Sequence, residues 1–135
     1  MTGRTEALLL VAPLAAYCAL IFAISTLSAP PAPDYPFALG DKLAHAAAYA
    51  VMLVLAVRAA RVLPSGQSLR RRLVPAILFC LVYGATDELH QYFVPGRSCD
   101  VFDWVADGVG AVLAAWLLPR LARWRPIAAL VATGA

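Results

Sequence analysis

Four short segments of this 135-residue chain carry the residue types that do chemistry. The first is Asp41-Lys42-Leu43-Ala44-His45, with Tyr49 following. On a helix, Asp41, His45 and Tyr49 fall at i, i+4 and i+8 and stack on one face. The second is Asp87-Glu88-Leu89-His90-Gln91. Here Asp87 shares a face with His90 and Gln91, while Glu88 pairs with Gln91 and sits over Gly84, which admits a close neighbouring helix. The third is Pro95-Gly96-Arg97-Ser98, with Pro and Gly suited to the centre of a type II turn. The fourth is Asp103 with Asp107 one turn later, then Gly108 and Gly110, small residues that favour tight helix packing.

Crowded carboxylates beside a histidine suit general acid–base work, and His45, Asp87, Glu88 and Asp103 are the candidate catalytic groups. Arg97 on its turn can clamp a phosphate or carboxylate through two N–H groups, with Lys42 as a second cation. With Tyr49, Gln91 and Asp107 these form the candidate substrate-binding set. The structural alternative is an ion-pair network, Arg97 and Lys42 against Asp87, Glu88 and Asp103, that only locks the helices together. A divalent metal is a further reading, because Asp, Glu, His and Gln offer ligands for Mg²⁺, Mn²⁺ or Zn²⁺. No spacing reproduces a recognised motif such as His-Glu-x-x-His. His90, near the interface, reads as a solvated or hydrogen-bonded side chain. Ser98 and Cys99 have no base at a defined distance, so nucleophilic catalysis finds little support.

The elements that position these groups follow from composition. Hydrophobic residues make up 62% of the chain and charged residues 14%. A soluble domain averages about 45–50% and about 25%, so an ordinary soluble enzyme is excluded. Roughly 20 apolar residues cross a bilayer, and four stretches qualify: 7–27, 43–63, 73–93 and 101–121. The first is apolar on every face and too long for a signal-peptide core. The other three carry charges near one end, where a polar group reaches water or protein. The prolines at 30, 31, 33 and 36, the Pro64-Ser65-Gly66 break and the Pro95-Gly96 turn separate them. The expected fold is an all-α, four-helix transmembrane bundle formed by one domain over 1–135. The tail from Pro126 is too short to span. Cys18 and Cys80 read as small hydrophobes within spans.

Charge placement orients the bundle. Four spans put the N-terminus, the middle loop and the C-terminus on one side, with nine of the eleven basic residues and Glu6, a balance of +8. The other side has Lys42, Arg97 and the seven remaining acids, Asp34 among them, a balance of −5. Short cytoplasmic loops collect Lys and Arg, so both termini are expected in the cytoplasm. Arg70-Arg71-Arg72 reads as part of that signal rather than as a nucleic-acid site. Tyr83, Tyr92, Phe93 and Trp104 are expected as an outer aromatic belt, with Trp116 and Trp124 at the inner interface. Acids contribute little to topology, and carboxylates at membrane depth are costly enough to mark function.

Asp-Lys-x-x-His opening one span, then Asp-Glu-x-x-Gln, Pro-Gly-Arg and spaced acids before a Gly-x-Gly helix resembles the VanZ-like family of small bacterial membrane proteins. The resemblance covers roughly 27–116, with Asp107 standing where many members have asparagine. It implies a multi-pass protein of the bacterial cytoplasmic membrane, in a family whose founding member is linked to resistance to the glycopeptide teicoplanin. Two classes stay open: a module that engages an anionic or lipid-linked envelope molecule, and a small membrane enzyme performing acid–base hydrolysis or transfer on such a lipid. Membrane lipids are the expected partners. A transporter would need an oligomer, since four helices leave little room for an alternating pathway.

Overall fold

The computed structural model describes residues 3–28, 38–63, 68–97 and 99–131. Asp34, the prolines at 30–36, the 64–67 break and Ser98 lie outside the described residues. Four long helices dominate: α1 (Gly3–Ser25), α2 (Ala38–Ala59), α3 (Leu69–Tyr92) and α4 (Val101–Leu121). A single 3-10 turn, Ala60–Val62, ends α2, and a short α5 (Arg125–Val131) closes the chain. All four long helices are long and apolar enough to cross a membrane. The expected all-α architecture is therefore the observed one.

The boundaries differ instructively. The fourth span begins and ends as the hydropathy pattern predicts, at 101 and 121. The second and third begin earlier than expected, because Asp41-Lys42 and Arg70-Arg71-Arg72 sit inside helices rather than before them. Charged residues extend a helix as readily as apolar ones, and only a bilayer distinguishes the two. Arg72 is the clearest case. Instead of serving as loop charge it is buried at the start of α3, where it donates to the carbonyls of Val57 (3.4 Å) and Val131 (2.7 Å). A cation on carbonyls near the ends of α2 and α5 suits the negative end of each helix dipole. Short α5 begins with proline in its first turn, where no N–H is needed, and packs Ile127 and Val131 on the core.

Side-chain ties set the packing order. Tyr17 donates to Ala48 O and Arg58 to Leu10 O, which makes α1 and α2 antiparallel. Tyr83 donates to Cys18 O at 2.6 Å and Trp104 Nε1 to Leu81 O at 3.0 Å, placing α1 parallel to α3 and α4 antiparallel to it. Tyr83 is thus an interhelical tie two turns below the expected belt, to which Tyr92 and Phe93 remain exposed. Trp116 instead carries the Arg120 guanidinium, 4.0 Å from its ring, at the opposite end. The core runs along α2, with Tyr49, Met52, Leu53, Ala56 and Val57 against Ala76, Cys80, Ala111, Ala115 and Leu118.

The tightest approach is α2 against α4. A Cβ on Gly110 would collide with the backbone of Ala46. Lipid tails are as apolar as leucine, so helices in a bilayer associate through such close backbone packing rather than through hydrophobicity. The exposed leucines, valines and phenylalanines on all four helices are the lipid-facing surface of a bundle of this kind.

Candidate functional site

The close α2–α4 contact brings Lys42 and His45 of α2 against Asp103 and Asp107 of α4, one helical turn apart on each. Lys42 Nζ lies 2.5 Å from both Asp100 Oδ2 and Asp103 Oδ1 and 3.7 Å from Asp41. Asp100 caps α4 at the same time, accepting from Phe102 N at 2.8 Å. The Lys42 ammonium and that backbone N–H hold the half-buried Asp100 carboxyl below the usual carboxylate range. One turn deeper, His45 Nδ1 meets Asp107 Oδ1 at 2.9 Å, and His45 Nε2 stands 3.8 Å from Asp103.

Glu88 joins from α3. Its Oε2 accepts the backbone N–H of Asp100 at 2.9 Å, while Oε1 is buried without a partner among the described residues. One carboxylate oxygen of Glu88, one of Asp107 and a ring nitrogen of His45 all lie within 4.8 Å of one another. Gly84, one turn before Glu88, makes the room. A Cβ there would stand 3.0 Å from Asp107 Oδ2, 3.2 Å from Trp104 and 3.3 Å from the Tyr49 ring. Tyr49 is buried and its hydroxyl has no partner among the described residues.

Asp87 is not part of this cluster. Its carboxylate accepts from Ser25 Oγ at 2.5 Å and from Gln91 Nε2 at 3.1 Å. Gln91 therefore pairs with Asp87 rather than with Glu88, and also reaches Ser25 Oγ at 3.4 Å. Ser25 is the residue that sequence reasoning missed. Its only signal is a polar Ser-Thr pair at the end of an otherwise apolar run. Asp41, expected to stack with His45 and Tyr49, does lie with His45 and Asp103, ligand atoms within 4.8 Å of one another, but on the exposed rim.

The expected locking network forms only in part. Lys42 does pair with Asp103, whereas Arg97 makes no ion pair among the described residues and keeps a buried, unpartnered Nε. Its turn is as predicted: Arg97 N donates to Val94 O at 3.1 Å, and Gly96 has φ +82°, the left-handed value that position needs. A Cβ on Gly96 would also meet Ser28 O at 2.7 Å. His90, expected to be solvated or hydrogen-bonded, packs on Phe22 with ring centroids 4.6 Å apart, and its Nε2 is buried without a partner among the described residues.

This arrangement has two chemical capacities: an imidazole held by a carboxylate on Nδ1, its Nε2 free of hydrogen bonds to described residues though 3.8 Å from Asp103, and a set of oxygen donors around it. No curated protein sequence and no solved structure matched the chain. The VanZ/LLP1 family model matches residues 6–123, nearly the whole four-helix unit and every polar segment described above. The chain belongs to the VanZ/LLP1 family.

Proposed function

We propose that this protein sits in the bacterial cytoplasmic membrane with both termini inside, and that its acid-rich end engages the anionic, lipid-linked head group of an envelope molecule in the outer leaflet. The +8 and −5 split of charge supports that orientation. One observation carries the ligand class. Helix α4 turns Asp103 and Asp107 into the polar cluster, and turns Trp104, Val105 and Gly108 toward an apolar groove of about 430 Å³ shared with Leu81 of α3. A ligand with a polar head and an acyl or prenyl tail fits both at once. Arg97 supplies the anion contact, since its half-buried guanidinium is not committed to any described carboxylate. Teicoplanin resistance, through altered access of the antibiotic to such a precursor, is the physiological role this reading suggests.

The test is to purify the protein in nanodiscs made with envelope lipid extract and identify the retained lipids by mass spectrometry. A phosphorylated polyprenyl lipid enriched over bulk, and lost with Arg97→Ala, is the expected result. Retained lipid with bulk composition would overturn the reading. A chemically altered lipid would favour the second reading, an acid–base hydrolase or transferase. The His45–Asp107 pair supports that alternative: a carboxylate on Nδ1 orients the ring and leaves Nε2 to carry a proton.

A further inference from the structure

Two groups of ligand-type side chains share His45. In the first, with Asp41 and Asp103, the chain supplies its own cation, because Lys42 Nζ lies 2.5 Å from Asp103 and 3.7 Å from Asp41. In the second, His45 with Glu88 and Asp107, no lysine or arginine among the described residues forms an ion pair. Yet this second group is the deeper one, with Glu88 4% and Asp107 1% exposed.

Charge and valence both fall short there. Ionised Glu88 and Asp107 carry −2 against at most +1 from His45. An uncompensated carboxylate inside a bundle costs several kcal/mol. Neutral Glu88 fares no better, because an O–H on Oε1 finds no acceptor among the described residues. Native buried polar atoms rarely lack a partner, and Glu88 Oε1, with none among the described residues, is open to a ligand.

We propose that His45, Glu88 and Asp107 bind a divalent transition-metal ion. Neighbouring donors of an octahedral ion with bonds of about 2.1 Å stand about 3 Å apart, and His45 Nδ1 and Asp107 Oδ1 are 2.9 Å apart. An imidazole with two carboxylates suits Zn²⁺ or Mn²⁺ better than Ca²⁺. The oxygen of Glu88 completes the third corner, and the Asp100 N–H on its other oxygen orients it. The ion also answers a difficulty in the head-group reading, on which this last point rests: an acid-rich site attracts an anionic phosphate once a divalent cation bridges them.

Protein in nanodiscs of phosphatidylcholine alone, stripped with chelator, is dialysed against Zn²⁺ or Mn²⁺ and its metal content measured, with X-ray absorption to read the ligand shell. Using a neutral lipid keeps the outcome independent of envelope-lipid binding. The expected result is one ion per chain with an imidazole nitrogen in its shell. Glu88→Gln and His45→Gln should each weaken binding at least about tenfold, while Asp41→Asn, in the other group only, leaves it unchanged. No stoichiometric ion in folded wild type, an all-oxygen shell, or loss with Asp41→Asn alone would overturn the proposal. Should Glu88→Gln fail to fold, the wild-type stoichiometry and shell decide the question.

Discussion

Asp87 and Glu88 are adjacent in sequence and almost equally buried, at 7% and 4% exposed, yet the fold treats them in opposite ways. Asp87 turns toward α1 and takes a hydroxyl from Ser25 and an amide from Gln91, so both of its oxygens are engaged. Glu88 turns toward α2 and α4, where one oxygen is held by the Asp100 N–H and the other by no described residue. Two residues 100° apart on a helix necessarily face different neighbours. A carboxylate with both oxygens answered contributes to the bundle, and one left half answered is open to something outside the chain. Burial alone would have ranked the pair as equals.

The comparison can be broken most forcefully at Gly110. A methyl there collides with the Ala46 backbone and pushes α2 from α4, which separates His45 from Asp107. The Ser25–Asp87–Gln91 group spans only α1 and α3 and should survive. Gly110→Ala is expected to cost about 3 kcal/mol in detergent unfolding. Cysteine crosslinking between positions 25 and 87 should persist in that background while crosslinking between 45 and 107 is lost. Asp87→Ala comes next. It leaves a buried hydroxyl and amide without their acceptor, and should lower stability by about 2 kcal/mol by the same measurement.

Hydropathy made the spans legible, and spacing placed His45, Asp103 and Asp107 on faces able to meet. The type II turn at Gly96 was likewise readable, because only the Pro-Gly order suits it. Other features depend on long-range pairing, which no local pattern encodes. Ser25 lies 62 residues before its partner Asp87, and nothing in the apolar run around it marks it as a hydrogen-bond donor. Helical spacing allowed Gln91 to pair with either acid, and the approach of α1 decided for Asp87. Arg97 is the reverse case: charge counting invited an ion pair that its turn does not bring about among the described residues. Arg72 was masked by the run it belongs to, since three adjacent arginines read alike until α3 buries one of them. Short α5 carried too few residues for a periodic signal.

The central claim is that Glu88 serves a ligand and not the fold. The most direct measurement is unfolding of chelator-treated Glu88→Gln beside wild type and Asp87→Ala, in the same detergent. Removing an unanswered charge while keeping the side chain's shape should leave the midpoint unchanged or raise it. A fall as large as that of Asp87→Ala would show that Glu88 is a structural group like its neighbour, and would contradict the account.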